Sequence, residues 1–539
     1  MPRFNTAGTR VAVRSPVATE AVPSGVTHEG AAGYARDDKG ELFLLAVAHS
    51  GDKSFYESQP ERDRRFCALV HGVAMNDPEW MARFVPWLRN GANMRTASVV
   101  AAAEAAKALL IDEKPGGRQI VASALQRADE PGELLAYWHS RHGRVIPKPV
   151  KRGLADAVAR LYDEYALLKY DTASHGYRFG DVIDLCHPEA AETWRGSLYR
   201  HALDRRHGRD NAVPDDLAMI RANARLRAAA AEDPRALLAP GALKAAGMTW
   251  EDALSLAGSK VPKRDLWAAL IPSMGYMGLL RNLRNLDDAG VPDDVAEQVA
   301  ARLADPEQVA RSRQFPFRFL SAYRAVPSLR WSYPLDKALT ASLSNVPALK
   351  GRTLVLVDRS PSMWEQKFSD KSDMPWADAA AIFGAAIALR AEYADLAEFG
   401  IQNAPVKFGR GESVLKVVDR FHQIGGTDIP SAVRKHFRDG FHSRVVIVTD
   451  EQTRPGWLPS NGIGYGGGPP ALIDDLIPKS VPLYMWNFGG YQHGAAPSGS
   501  GNRHTLGGLT DSAFRLIPML EAGRDARWDD LFAVPAGRA

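Results

Sequence analysis

The chain has 539 residues, 45% of them apolar and 24% charged, with a formal net charge of +4. Those values exclude a largely disordered chain and a histone-like polycation, and the length allows two or more domains, each with its own core. Lys/Arg and Asp/Glu balance from Lys350 onward, so the basic excess lies before it and points there for an acidic partner.

The two cysteines, Cys67 and Cys186, make neither a zinc pattern nor a disulfide framework, and their scarcity fits a reducing, cytoplasmic setting. The first residues lack the apolar core of a signal peptide, and no stretch approaches the roughly 20 apolar residues of a membrane span.

Residues 1–30, with Pro16 and Pro23 and no helical periodicity, read as an extended arm, either a flexible tail or a segment that packs on another domain. From 31 to 349 the pattern is helical. Leu154, Ala157, Val158, Leu161, Tyr162, Tyr165 and Leu168 make one apolar stripe, and Ala101–Leu110 is a strong helix former. Pro292 followed by Asp293 and Asp294 opens another helix, where the absent N–H costs little and the dipole favours acids. Short helices with short connections over about 300 residues predict stacked helical hairpins, a HEAT-like solenoid, although no fixed sequence period is visible.

Basic residues cluster in this part, at Arg141–Arg144, Lys148, Lys151, Arg152 and Lys169, then at 205–209, 281–284 and 311–313. Aromatics such as Trp138, Tyr162, Tyr170 and Tyr177 are interleaved with them. Cations neutralise phosphates and aromatic planes stack on unpaired bases, so a single-stranded nucleic-acid surface is one reading; solvated helix faces are the other.

From Lys350 strands alternate with helices. Strands are expected at 353–357, 405–408, 414–419, 444–449 and 482–488, with helices near 375–393, 430–438, 470–477 and 510–521. That alternation predicts a mostly parallel, doubly wound α/β sheet over 350–539. The Gly/Pro-rich stretches 461–470 and 489–501 read as long mobile loops.

The apolar run Leu354–Val357 ends in Asp358-Arg359-Ser360-Pro361-Ser362, placing one carboxylate and two hydroxyls at alternate positions past a buried strand. Thr427 follows Gly425-Gly426, and Asp450 ends the run Val445–Thr449. In open parallel sheets the carboxyl ends of strands are where ligands bind. Asp358, Ser360, Ser362, Thr427 and Asp450 offer two carboxylates and three hydroxyls without Cys or His, a hard-oxygen set suited to Mg²⁺ rather than zinc. A coordination position left to water or to an incoming acidic group would make this an adhesion site. Asp428 and Glu451 read as helix-cap and surface acids, not ligands.

The order Asp-x-Ser-x-Ser, Thr, Asp resembles the metal-ion-dependent adhesion site of a von Willebrand factor A domain. A helical array followed by such a domain resembles the Ro autoantigen family with its TROVE module, in its bacterial form. The likeness is carried by Glu41–Val47, Asp52–Glu57, Phe84–Arg89, Pro131–Trp138, Leu279–Asn285 and the Asp358 motif. It implies a ring of helical hairpins over 31–349 closed by an A-type domain over 350–539, with Ser360, Ser362 and Thr427 as direct metal ligands and Asp358 and Asp450 binding directly or through water. It further implies an RNA-binding protein, not an enzyme, that holds small noncoding Y-like RNA on the outer surface of the ring. Single-stranded 3′ ends of misfolded RNA would enter the central hole, with an exoribonuclease, polynucleotide phosphorylase, as partner; neither DNA nor membrane is implied.

In the family's outer RNA-contact segment, Lys169 and His187 match the first and last of a Lys, Arg, His set. The middle Arg is displaced: Ala173-Ser174-His175 stands there and Arg178 lies a few residues on, in a segment one residue longer. His187 before Pro188 also reads as a helix cap. Two other functions suit the same residues: a Mg²⁺-dependent protein-interaction scaffold, and a metal-dependent nuclease or hydrolase.

Overall fold

The computed structural model describes residues 13–48, 55–172, 176–326, 328–368, 373–455 and 472–533. Residues 1–12 of the expected arm, His175 and the 461–470 loop lie outside these. The described chain forms two compact units, one of 1–69, 315–321 and 339–539, the other of 70–314 and 322–338. Among the described residues, 13–48 and 55–69 gather with the sheet.

The second unit is helical, and neighbours in sequence pack on one another. Arg95–Ile111 lies against Gly117–Ala124, Gly117–Ala124 against Lys148–Leu161, and Phe179–Cys186 against both Lys148–Leu161 and Thr193–His207. The reason is local. Val150, Leu154, Ala157 and Val158 recur at three- and four-residue spacing and are all buried, and Gly153 lets Val121 approach where a Cβ would stand 2.7 Å away. Asp163 caps the next helix, Glu164–Tyr170, by accepting from the Ala166 N–H at 2.6 Å. Near the helix Tyr276–Asp288, Leu279, Leu283 and Leu286 are buried while Asn282 donates to the Gly278 carbonyl at 2.8 Å.

Among its described residues the first unit carries nine strands: β1 (Gly25–Val26), β2 (Ala32–Ala35), β3 (Leu349–Asp358), β4 (Ala391–Phe399), β5 (Asn403–Pro405), β6 (Arg444–Thr449), β7 (Leu483–Asn487), β8 (His493–Gly494) and β9 (Arg503–Gly507). Six form one sheet in the order β5-β4-β3-β6-β7-β9, parallel except for the antiparallel edge strand β5. β3 and β6 are central, so their residues are buried on both faces and read as continuous apolar runs. The helix Trp376–Arg390 is apolar almost all round and buried along most of its length; Gly384 lies so close to β3 that a Cβ would meet Val357 at 2.3 Å.

Three expectations in this unit change. The 414–419 segment is a short helix, Val414–Val418, whose first turn is capped by Ser413 accepting from Leu415 N–H at 3.1 Å. The strand expected at 405–408 shrinks to β5 and moves to 403–405, while β4 and β9 were not anticipated. The 489–501 stretch is not a free loop: β8 pairs with β2 in the three-stranded sheet β1-β2-β8, and Tyr491, Ala495 and Ala496 are buried.

The described part of the arm is likewise not a flexible tail. Ser15 N–H donates to Gly499 O at 3.0 Å, Thr19 N–H to Ser498 O at 3.1 Å, and Ala526 N–H to Arg14 O at 2.8 Å. Val13, Val17 and Tyr34 are buried in the same unit. No helix among the described residues is long and apolar enough to cross a membrane.

Candidate metal centre and basic helical face

β3 and β6 end side by side because their apolar runs pair in parallel, Val357 opposite Val448. Asp358 and Asp450 therefore leave the sheet at the same edge. The Ser360 N–H donates to Asp358 Oδ1 at 2.9 Å and the Thr449 hydroxyl to Asp358 Oδ2 at 2.6 Å. Pro361 opens a one-turn helix, Pro361–Glu365, that carries Ser362, and the Ser360 and Ser362 hydroxyls lie 3.2 Å apart. Proline at this first position is pre-set for the turn and leaves both hydroxyls in place.

Arg359, between the ligand candidates, points away from them. Its Nε donates to His422 O at 3.0 Å, it also donates to Ala377 O, and it lies 4.3 Å from the Trp364 ring centroid. These contacts anchor the loop, and the guanidinium charge still works to lower the Asp358 carboxyl.

Thr427 comes from the turn before the helix Ile429–His436. Gly426 has φ +65°, the left-handed region, with Ile401 3.1 Å from where a Cβ would stand. The Thr427 carbonyl accepts from Arg454 N–H at 3.0 Å, tying this turn to the loop after β6. Asp428 caps the helix by accepting from Ser431 N–H at 2.8 Å, as its position before the helix predicts. Glu451 is not a surface acid: it is fully buried and ion-paired with Arg36.

Burial pushes the Asp358 carboxyl up to about 6 against the pull of Thr449 and Ser360. Burial pushes Asp450 up to about 8, the neighbouring Asp358 carboxylate adds to this, and the Gln452 N–H and Ser362 hydroxyl work in the opposite direction. The Gln452 N–H reaches Asp450 Oδ1 at 3.0 Å, while Asp450 Oδ2 is buried without a hydrogen-bond partner. A buried carboxylate oxygen left unpaired costs free energy unless a cation or proton meets it. Among the described residues no group of three or more His, Cys, Asp or Glu side chains is placed to hold a metal. This centre instead brings together two acids, Asp358 and Asp450, and the Ser360 and Ser362 hydroxyls, with Thr427 on the turn tied to the loop after β6; hard oxygens of this kind are what a small dication takes together with waters.

The basic candidates sit on the helical unit. Lys169 is exposed, its Nζ 5.5 Å from the Tyr165 ring centroid and 5.1 Å from that of Tyr170. Arg127 lies 5.3 Å from the centroid of the same Tyr170 ring, and no local pattern points to it because it comes from a distant part of the chain. Lys148, Lys151 and Arg152 start the helix Lys148–Leu161, with Lys148 and Arg152 exposed and Lys151 half-buried near Cys186.

His187 ends the helix Phe179–Cys186 at φ +50°, its N–H donating to Ile183 O at 2.9 Å while the residue stays exposed. Arg178 caps the other end, and its guanidinium grips the buried Asp171 with two bonds, Nε to Oδ1 at 3.2 Å and Nη2 to Oδ2 at 2.6 Å. That side chain is a strut of the fold rather than an open cation.

Comparison with known proteins identifies a TROVE domain over residues 242–388, a span that runs from the helical unit through the Asp358 motif. Over 83 residues the chain is 42% identical to telomerase protein component 1 of Mus musculus, and 41% identical to the Rattus norvegicus protein over the same length. That stretch is 15% of this chain and only 3% of either relative. The crystal structure of the Ro (RSR) protein of Deinococcus radiodurans aligns with a TM-score of 0.58 over 89% of this chain and 99% of that one, at 18% identity, a likeness of fold.

Proposed function

We propose that the chain, which carries a TROVE domain over residues 242–388, is a member of the Ro family and a cytoplasmic RNA-binding protein, not an enzyme. The observation that carries this reading is the exposed Lys169 set between Tyr165 and Tyr170, with Arg127 on the same ring. A cation among aromatic faces neutralises phosphate and offers planes for unpaired bases without any chemical step.

The helical unit takes two kinds of RNA at separate places. A small noncoding Y-like RNA lies along Lys148, Lys151, Arg152, Lys169 and His187. Single-stranded 3′ ends of misfolded RNA enter elsewhere on the unit. An exoribonuclease such as polynucleotide phosphorylase then receives RNA presented by the complex. Binding of RNA-free protein to a structured RNA with a single-stranded 3′ tail tests this. The affinity falls steeply as salt rises, because each neutralised phosphate releases counterions; salt-indifferent binding, or none, contradicts it.

The sheet unit plays a different part in this reading. It is a von Willebrand factor A-like domain whose Asp358, Ser360, Ser362, Thr427 and Asp450 hold Mg²⁺. The unpaired Asp450 Oδ2 and the raised carboxyls are what support it. When bound, the ion supplies positive charge that lets both buried acids ionise and locks β3 and β6 to the Thr427 turn.

A further inference from the structure

A site meant to grip a partner's carboxylate needs an open face. Here Asp358, Ser360 and Asp450 are 0% exposed, Ser362 1% and Thr427 2%. The cover comes from the chain's own N-terminal part. The Thr27 hydroxyl donates to Thr453 O at 2.7 Å, and the His28 N–H to Gln452 Oε1 at 2.8 Å, fixing the β1–β2 turn over the loop that follows Asp450. His28 stacks on Tyr56 with ring centroids 5.0 Å apart, and Tyr56 sets its edge on Tyr491 at 5.5 Å. Tyr491 in turn belongs to the turn at Gly489, where a Cβ would stand 3.0 Å from Asp450 Cβ.

The Tyr56 hydroxyl ends at the metal residues. It donates to Glu29 Oε1 at 2.8 Å, and its oxygen is reached by the Ser362 hydroxyl and faces the Asp450 carboxylate. Arg454 Nε holds the other Glu29 oxygen at 2.9 Å. We propose that Tyr56, backed by Glu29 and Arg454, caps the metal site in cis: its neutral phenol oxygen takes the outward position that an adhesion site leaves to a partner's carboxylate.

Charge supports this arrangement. Asp358 and Asp450 together already balance a dication, so a third anionic ligand would leave net negative charge in a buried place, which is costly. A phenol supplies a hard oxygen without that charge. External acidic ligands then gain access only when Tyr56 leaves, so the N-terminal segment decides whether the site is structural or adhesive.

The proposal rests on the metal reading above, and one set of titrations separates the two. Mn²⁺ binding to the full chain is measured by calorimetry for the wild type, Asp450→Asn, Tyr56→Phe and Tyr56→Ala, with and without acetate as a free carboxylate. The wild type binds Mn²⁺ and Asp450→Asn does not. Tyr56→Phe binds roughly tenfold more weakly, the scale of loss when a supporting group of a metal site is removed. Acetate leaves the wild type unchanged and tightens Mn²⁺ binding by Tyr56→Ala. Absence of Mn²⁺ binding in the wild type, or equal binding by Asp450→Asn, overturns the metal reading and the cap with it. Wild-type binding that needs Asp450, but is unchanged in Tyr56→Phe or tightened equally by acetate in wild type and Tyr56→Ala, overturns the cap alone.

Discussion

Arg36 Nη2 donates to Glu451 Oε1 at 2.9 Å with both side chains fully buried, joining the N-terminal strand region to the residue that follows metal candidate Asp450. Glu451 also accepts from Asn487 Nδ2 at 2.8 Å and from Ala495 N–H at 2.9 Å, so its lone pairs are well used. Its backbone sits at φ +64°, a conformation a side chain disfavours, and these bonds hold it there.

Breaking this pair on one side strands a buried charge. Arg36→Met is expected to destabilise the sheet unit by about 3–5 kcal/mol, the usual cost of orphaning one partner of a buried ion pair. Replacing both, Arg36→Met with Glu451→Leu, costs less than the sum of the single changes. Denaturant melts of the four proteins form the cycle, and additive losses would show that the pair does not act as a unit.

His504 on β9 gives a pH dependence. It is buried, its Nδ1 lies 2.9 Å from the Ser15 hydroxyl, and burial, with Arg503 adding, lowers its pKa from 6.5 to about 4. The unfolded chain therefore takes up a proton between pH 6.5 and 4 while the folded chain does not. Its contribution is fully present above pH 6.5 and is lost as pH falls toward 4, by up to about 3 kcal/mol. Urea melts of the wild type lose stability faster across this window than those of His504→Gln; parallel curves would assign the acid sensitivity to other groups.

On the helical unit, Lys169→Ala with His187→Ala weakens binding of a Y-like RNA and spares a single-stranded 3′ tail. Each lost phosphate contact also lowers the salt slope by about one. Gel-shift titrations with the two RNAs at several salt concentrations read both effects. Equal loss for both RNAs would mean that they share one site.

Arg178→Ala behaves differently because its guanidinium is committed to Asp171. The change leaves a buried carboxylate short of two bonds and costs about 1–3 kcal/mol of stability, with little effect on RNA affinity at temperatures where the variant is folded. A large affinity loss without a shift in melting would return Arg178 to the RNA surface.

Much of this architecture is written in local patterns. β3 and β6 show as short β-branched runs stopped by an acid, and the helix Lys148–Leu161 as a three-and-four stripe, because burial alone imposes those periods. β4, AEYADLAEF, follows the helix Trp376–Arg390 without glycine or proline and is rich in helix-favouring Ala and Glu; its pairing with β3 overrides that preference. Val414–Val418 errs the other way, since three valines suggest a strand while the Ser413 cap starts a helix. The metal candidates were legible because each ends or follows a recognisable element. Arg36, Tyr56, Glu29 and Arg127 were not, because their roles come from contacts across 27 to 425 positions of chain, which no local pattern records.

The most direct test of the central claim is ultraviolet crosslinking of the protein with its co-purifying RNA, followed by sequencing of the RNA and mapping of the crosslinked peptides. Small structured noncoding RNA is expected, with crosslinks at Tyr165, Tyr170 and the helix that begins at Lys148. Recovery of no RNA, or crosslinks confined to the sheet unit around Asp358 and Asp450, would contradict it.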